Sequence, residues 1–327
     1  MRLHSCDGGG CATLARMESQ ASKWATYEIE ALVNNHCQCG ENPLWDERRN
    51  VIFWEDIPNG RIYSLDPKTG KHQTVYDGEV VGGFSFQDDG KLLLFRDHEI
   101  AILNDDGSVE VLTRDIEAET GRFNDVMADP EGRVFAGTMG QDGTSSGGLF
   151  RVDLDGSVTK LWGGTSCANG MGFTPDLQKM YWTDSEAQKI FLYDYNRETG
   201  ELSNRTEFYS SLDGSTPDGM SVDAAGDVWS AHWDGFAIHR LSPQGELKES
   251  IRFPVAQVSS LIFGGENLDE IYVTTAGGTF RKGEANHEIS DEANDETSAE
   301  QSTPDGTLYR VRAGVKGQPR FRSRIQI

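Results

Sequence analysis

The sequence predicts an all-β protein with the architecture of a six-bladed β-propeller. One short phrase occurs six times in the 327 residues, starting near Asn42, Gly83, Asn124, Asn169, Asp218 and Ser260. Its period of roughly 41 to 49 residues is the length of one propeller blade. The 37 glycines suit many tight turns, and no stretch keeps a helical spacing of apolar residues. A two-domain α/β arrangement is therefore disfavoured.

Each repeat contains β-rich runs separated by turn residues. In the first repeat, the pair Asn59-Gly60 separates Val51–Trp54 from Arg61–Leu65. The corresponding runs of the later repeats are Leu92–Phe95 and Ile100–Leu103, Val134–Thr138 and Leu149–Val152, Met180–Thr183 and Ile190–Tyr193, Val228–Ala231 and Ala237–Leu241, and Ile271–Thr274 with Leu308–Val311. A single blade cannot bury both faces of its sheet, so we expect residues 27–327 to form one cooperative ring.

The two ends of the chain and one interruption complete this plan. The run Tyr27–Val33 alternates before the first repeat, and we expect it to pair with the last blade, closing the ring and covering an edge. Residues 1–26 are expected to be a disordered N-terminal extension. The last repeat is interrupted near residues 283–303 by an acidic stretch without Lys or Arg. This composition is typical of a mobile loop, with a lid or partner-binding loop as the alternative.

Charge and cysteine content exclude several classes of partner. The net charge of −23 would repel a phosphate backbone, so nucleic acid is not expected as a partner. No apolar run reaches transmembrane length, and residues 1–17 lack the apolar stretch of a signal peptide. The odd count of five cysteines favours a reducing, cytoplasmic location over a disulfide framework. Nothing in the sequence indicates an oligomeric state.

Four of the repeats begin with a carboxylate or an amide, namely Glu41, Asn124, Asn169 and Asp218. The innermost strand of every propeller blade lines the central channel, so these side chains should converge at one mouth. Two carboxylates there would repel each other unless a proton or a cation lay between them. Oxygen ligands without Cys or His favour Ca²⁺, Mg²⁺ or Mn²⁺ over Zn²⁺. The alternative is that each residue only caps a turn.

Several longer motifs carry a family resemblance. They are Cys37–Trp45, Arg122–Asp125, Gly137–Met139, Gly148–Arg151, Asn169–Met171, Pro217–Met220, Phe263–Gly265 and Tyr272–Thr274. In combination they resemble the gluconolactonase, regucalcin and luciferin-regenerating family of six-bladed propellers. The resemblance covers about residues 28–312.

The resemblance implies specific roles for the axial residues. One divalent cation would be held by Glu41, Asn169 and Asp218, with Ca²⁺ expected first and Mg²⁺, Mn²⁺, Zn²⁺ or Fe²⁺ as alternatives. Arg122 and Asn124 would contact the substrate. The family often has an acidic residue shortly after its Gly-Thr-Met motif, and Asp142 is the substitute for it in this chain.

The implied activity is metal-dependent hydrolysis of a small-molecule lactone derived from a sugar acid. Asp218 would take the proton from the attacking water, because it is a carboxylate beside the cation. The blades with Gly82–Gly83 and Ser259–Ser260 at the leading position would form the open side for substrate and water. The alternatives are a calcium-binding regulatory protein of the regucalcin kind, an esterase or organophosphate hydrolase, and an interaction scaffold.

Overall fold

The computed structural model describes residues 23–114, 116, 120–277 and 305–326. The predicted acidic insertion and most of the predicted N-terminal extension lie outside these residues. The described part is nearly all β, with one short 3-10 helix at Gln141–Gly143. None of its helical residues belongs to a segment long and apolar enough to cross a membrane.

The strands follow one another in the order that the repeats predict. In chain order they are β1 (Trp24–Ala25), β2 (Ile29–Asn34), β3 (Gly40–Asp46), β4 (Val51–Asp56), β5 (Arg61–Leu65), β6 (His72–Asp77), β7 (Val81–Phe86), β8 (Leu92–Arg96), β9 (Ile100–Leu103), β10 (Val109–Thr113), β11 (Thr120–Ala128), β12 (Val134–Gly140), β13 (Gly147–Val152), β14 (Val158–Thr165), β15 (Ala168–Phe173), β16 (Lys179–Asp184), β17 (Lys189–Tyr195), β18 (Leu202–Ser210), β19 (Thr216–Val222), β20 (Val228–Trp233), β21 (Ala237–Leu241), β22 (Leu247–Arg252), β23 (Val258–Gly264), β24 (Glu270–Thr275) and β25 (Thr307–Val311).

These strands form six sheets, antiparallel except where β1 joins the fifth, which confirms the six-bladed β-propeller. Five blades are consecutive four-strand units, β3–β6, β7–β10, β11–β14, β15–β18 and β19–β22, and the first strand of each lies innermost. The sixth blade combines β23, β24 and β25 with β2 from the other end of the chain. The predicted ring closure by the N-terminal strand is therefore confirmed. The strand β1 also adds to the fifth blade in parallel with β22, so the predicted extension contributes an ordered strand at its end.

The core is divided among the interfaces between neighbouring blades. Each of six buried apolar clusters of the described residues joins two adjacent blades. Between the second and third blades, Phe95 meets Phe123 edge-on at 5.2 Å between ring centroids. Between the last and first blades, Tyr272 stacks on Trp45 at 5.3 Å. Every blade therefore buries its faces only against its neighbours, so the ring depends on all six.

The end of the chain, residues 312–326, forms a C-terminal segment that covers one mouth of the channel. Its backbone bonds to several blades in turn. The hydrogen bonds are Gly317 N to Leu268 O, Ala224 N to Lys316 O, Ser323 N to Phe86 O, Arg324 N to Gly132 O and Gln326 N to Leu154 O, all 2.7–2.8 Å. The segment thus ties the sixth, fifth, second and third blades together at this mouth.

Candidate functional site

Every innermost strand carries a β-bulge at the position where the sequence repeat begins. The register breaks between Glu41 and Leu44, Val81 and Gly83, Phe123 and Val126, Asn169 and Met171, Pro217 and Met220, and Val258 and Ser260. A bulge disturbs the alternation of side chains along a strand and re-aims one of them. The repeated phrase is therefore the sequence of a bulge that sets which side chains face along the channel.

The four predicted axial residues come together at one mouth of the channel. Glu41, Asn124, Asn169 and Asp218 line one cavity of about 350 Å³ and are all nearly buried. This cavity opens at the mouth opposite to the C-terminal segment. A second cavity, of about 400 Å³, lies at the covered mouth and is lined by residues of all six innermost strands. The two cavities divide the channel, and the polar site belongs to the smaller one.

The amide of Asn169 presents its oxygen to the cavity. Ser185 Oγ donates to Pro217 O at 2.8 Å, so its oxygen is left to accept from Asn169 Nδ2 at 3.1 Å. This arrangement determines the orientation of the amide, because its nitrogen must face Ser185. Asn169 Oδ1 is buried and has no hydrogen-bond partner, and the same is true of Asp218 Oδ1. Two unpaired buried oxygens in one cavity are costly unless a ligand satisfies them.

Burial and mutual repulsion disfavour negative charge at the two axial carboxylates. Burial raises the pKa of Asp218 well above its usual range, and the nearby carboxylates of Glu41 and Asp125 raise it further. Burial and the Asp125 carboxylate raise the pKa of Glu41 to about 8, although the backbone N–H of Asn42 donates to Glu41 Oε2 at 2.9 Å. A bound cation would relieve this repulsion. The donor set therefore fits a hard divalent ion.

Asn124 and Arg122 line the cavity wall and are hydrogen-bonded to each other. Asn124 Nδ2 donates to Ala168 O at 2.8 Å, so Asn124 Oδ1 is turned to accept from Arg122 Nη1 at 2.8 Å. The same Nη1 also donates to Phe123 O at 2.8 Å. Because its amide oxygen is already engaged, Asn124 differs from Asn169. The oxygen of Asn124 is held by Arg122, whereas the oxygen of Asn169 has no hydrogen-bond partner.

A wider set of buried charges surrounds the axial residues. The Glu55 carboxylate lies behind Glu41 on β4, fully buried and without a hydrogen-bond partner. Burial, and then the Glu41 carboxylate, raise the pKa of Glu55 well above its usual range. Its neighbour Asp56 accepts from the backbone N–H groups of Gln38 and Cys39 and from Asn59 Nδ2, so that carboxylate has donors of its own.

The buried side chains around the site include more carboxylates than guanidinium groups. Asp125 acts on Glu41, Glu55 and Asp218, and Glu41 acts on Glu55 and Asp218. Arg122 acts on Glu41 and Glu55, and Arg320 acts on Asp125. Asp56 also acts on Glu55, but it has three donors of its own and is left out of the sum. If the other four carboxylates and both guanidinium groups are ionised, four negative and two positive charges leave −2, which one divalent cation would balance. Among the described residues, no three His, Cys, Asp or Glu side chains form a metal site by themselves. A cation in this cavity would therefore need a donor of another kind beside the carboxylates, such as the amide oxygen of Asn169.

The structure does not bring Asp142 to the cavity. Asp142 is exposed on the 3-10 helix after β12, with a left-handed backbone (φ 51°), and the cavity wall in this region is Met139. The chain turns outward at Gly140, whose Cα has no room for a side chain because a Cβ would lie 1.5 Å from Thr144 O. The expected substitute for the family's acidic residue is thus directed to solvent.

The expectation that the blades with Gly82–Gly83 and Ser259–Ser260 form the open side of the channel is wrong. A Cβ on Gly82 would lie only 1.8 Å from Phe123 O, so glycine there allows the second blade to pack closely against the third. Ser260 hydrogen-bonds to the Glu41 carboxylate and lines the second cavity. These small residues close the channel wall. The rim of the smaller cavity instead carries the exposed acids Glu186 and Asp234.

Sequence reasoning missed residues that come from outside the repeated phrase. Ser185 follows β16 and orients Asn169, while Cys39 and Cys167 line the cavity. Burial raises the pKa of the Cys167 thiol to about 12. His232 is buried beside the site and bonds through Nδ1 to Ser215 Oγ at 2.7 Å, whereas Trp233 lines the cavity. No local signal marks Ser185, because its role depends on a neighbouring strand.

Fold and site together define a six-bladed propeller with a buried, oxygen-rich centre at one mouth of its channel. The chain belongs to the SMP-30/gluconolactonase/LRE-like family, whose model matches residues 39–277. It is 39% identical over 300 residues to pentonolactonase XacC of Haloferax volcanii, covering 91% of this chain and 99% of that relative. It is 33% identical over 262 residues to regucalcin of Xenopus laevis, covering 77% and 88%.

A solved structure shows the same architecture. The luciferin-regenerating enzyme superposes with a TM-score of 0.81 at 28% identity, covering 92% of this chain and all of that one. The family resemblance stated from the motifs is thereby confirmed.

Proposed function

We propose that this protein hydrolyses the ring ester of a sugar-acid lactone in the cavity formed by Glu41, Asn124, Asn169 and Asp218. The observation that carries the proposal is the pair of unpaired buried oxygens, Asn169 Oδ1 and Asp218 Oδ1, in a site with excess negative charge. The relative that is named a pentonolactonase and matches 91% of this chain supports the lactone as substrate class.

Glu41, Asn169 and Asp218 would hold one divalent cation, with Ca²⁺ first among the candidates because all three donors are oxygens. A cation in this position supplies polarisation of the lactone carbonyl and stabilisation of the oxyanion that forms. The chain has regucalcin relatives, and a solved regucalcin structure is described as a calcium-binding protein, which supports this choice of ion.

The side chains of the protein have separate tasks in this proposal. Arg122 and Asn124 orient the hydroxyls and ring oxygen of the substrate, because both are already held rigidly at the wall. Asp218 accepts a proton as a water oxygen attacks the carbonyl carbon. The bond from that carbon to the ring oxygen then breaks, and Asp218 passes the proton it accepted to the ring oxygen, which gives the open hydroxy acid and restores the carboxylate. Trp233 supplies an apolar wall.

A serine nucleophile does not fit the geometry. The stretch Gly143–Gly147 has the spacing of a nucleophile elbow, but Ser145 lies exposed in the connection between β12 and β13. A nucleophile elbow requires a strand-to-helix turn at the site. The hydroxyl of Ser145 instead pairs with that of Ser166 at 3.3 Å.

The test is a hydrolysis panel of five- and six-membered aldonolactones, run on chelator-stripped protein before and after adding Ca²⁺, Mg²⁺, Mn²⁺ or Zn²⁺. Asp218→Asn should lower metal-dependent kcat at least about a hundredfold because the proton acceptor is removed. Asp194→Asn, an exposed carboxylate on β17, is the matched control. Full activity of Asp218→Asn, or undiminished activity after complete chelation, would contradict the proposal.

A second function uses the same site without turnover. The regucalcin relatives favour a calcium-binding protein, for which the same three oxygens would serve. The hydrolysis panel separates the two, since a purely calcium-binding protein would bind Ca²⁺ at this site and open none of the lactones.

A further inference from the structure

Asp125 lies at the point where the two cavities of the channel meet. The bulge in β11 gives it a left-handed backbone (φ 55°), so that Asn124 lines the substrate cavity while Asp125 lines the second cavity. The carboxylate of Asp125 nevertheless acts on Glu41 and Asp218 across the channel, since it raises the pKa of both. Asp125 is thus part of the electrostatic environment of the candidate cation site without being placed to bind substrate.

The counter-charge of Asp125 comes from the C-terminal segment. Arg320 of that segment and Asp125 line the same second cavity. Burial raises the pKa of Asp125 to about 6, and the Arg320 guanidinium opposes that rise. Arg320 Nη2 also donates to Met220 O at 3.0 Å, two residues beyond Asp218 on β19. The inner edge of an innermost strand has no neighbouring strand, so this hydrogen bond satisfies an open carbonyl. One side chain of the segment therefore contacts the strand of Asp218 and acts on the charge of the site.

We propose that Arg320 and Asp125 form a positioning pair that sets the net charge of the channel, and thereby its affinity for one divalent cation. Neither residue binds the cation or the substrate in this proposal. The C-terminal segment then contributes a side chain to the site in addition to covering one mouth of the channel. The inference rests on the cation of the proposed function. It adds a determinant of cation affinity on the side of the channel away from the substrate.

If Arg320 acts through its charge, its removal should strengthen Ca²⁺ binding. A merely structural role predicts the opposite change. Arg320→Met changes the ionised set from −2 to −3, so Ca²⁺ should bind tighter, by roughly three- to thirtyfold for a charge several ångströms away. Asp125→Asn changes it to −1 and should weaken Ca²⁺ binding by a similar factor. The double variant returns to −2 and should bind within about threefold of wild type. If Arg320 only held the segment in place, its loss would weaken binding.

The experiment is calorimetric titration of chelator-stripped full-length protein with Ca²⁺, with thermal melting to verify folding. Arg320→Lys keeps the charge and should leave Kd nearly unchanged. Arg322→Met is the matched control, since Arg322 lies two residues away and pairs with Asp46 at 2.6 Å. Tighter binding by Arg320→Met, reversed in the double variant, supports the proposal.

The outcomes separate the two levels of inference. A wild-type protein that binds none of the tested divalent cations would overturn the cation of the proposed function and this inference with it. Wild-type binding together with unchanged or weaker binding by Arg320→Met overturns the positioning pair alone. So does a double variant that stays as weak as Asp125→Asn. An equal effect of Arg322→Met would overturn it as well, because the effect would then come from the charge of the whole segment.

Discussion

At the scale of single residues, position in the repeat predicts which side chains meet, but not how each one is oriented. Glu41, Asn169 and Asp218 are equivalent in sequence, and the structure brings them to one cavity. The difference between Asn124 and Asn169 depends on their hydrogen-bond partners, Arg122 and Ser185. Those partners lie outside the aligned positions, so the repeat does not predict them.

Ser185→Ala tests the orientation of Asn169. Without the hydroxyl, the amide loses the acceptor that turns Oδ1 toward the cavity. We expect Kd for Ca²⁺ to rise roughly tenfold, as is typical when the partner of a metal ligand is removed. Calorimetry measures it, with Ser157→Ala in an exposed turn as the control. An unchanged Kd would show that Asn169 is oriented without Ser185.

His239 gives a pH-dependent contribution to stability. Burial lowers its pKa to about 4, from about 6.5 in an unfolded chain, although Asp213 raises it in part. Between these values the unfolded chain binds the extra proton. This term therefore reduces the free energy of unfolding as pH falls from about 6.5 to about 4, by about 3 kcal/mol in total.

His239→Gln removes that titration, while the titratable groups other than its neighbours His232 and Asp213 remain the same in both proteins. The stability advantage of wild type over the variant should therefore shrink as pH falls from 7 to 4.5. Urea unfolding at several pH values gives the difference directly. A difference independent of pH would mean that His239 keeps an ordinary pKa, despite its contact with His232 at 4.0 Å between ring centroids.

At the scale of elements, the strands follow from turn chemistry and β-rich runs. The role of the small residues near the bulges depends instead on how neighbouring blades pack. Each innermost strand breaks register where the repeat begins. The sequence shows small residues at Gly82 and Ser260 but not that they close the wall. Their role follows only when neighbouring blades are packed, because the space that a Cβ would need belongs to another blade.

Gly82→Ala should severely destabilise the second and third blades. The added Cβ would lie 1.8 Å from the backbone oxygen of Phe123, which cannot move without shifting β11. We expect a loss of about 3 kcal/mol or more in urea unfolding, or failure to fold. The control is Gly163→Ala on β14, where the nearest atom is the flexible Lys160 side chain at 3.2 Å. Equal stability of the two variants would contradict the close packing.

At the scale of the whole molecule, the ring is held closed from both ends of the chain. The strand β2 completes the sixth blade, and the C-terminal segment ties four blades across one mouth. Since each apolar cluster is shared by two blades, opening the ring anywhere would expose two faces. The prediction of one cooperative domain follows from this sharing.

Removal of residues 1–34 should open the ring, because β25 loses its outer partner β2 and becomes an unpaired edge, with only β24 beside it. Such edges favour aggregation. We expect oligomers in size-exclusion chromatography and loss of a single sharp thermal transition. The control is removal of residues 1–22, which leaves both β1 and β2 in place and should melt as wild type does. A monomeric, cooperatively melting protein lacking residues 1–34 would show that β2 is dispensable.

The sequence by itself determined the number of blades, the order of the strands and the four residues that converge on the axis. It could do so because a repeat places equivalent residues at equivalent positions, and turn chemistry is local. Only the tertiary structure decided that Asn169 offers a free oxygen, that Asp142 faces solvent and that Arg320 enters the cavity lined by Asp125. The physical reason is that these outcomes depend on partners distant in sequence, such as Met220, which lies 100 residues before Arg320.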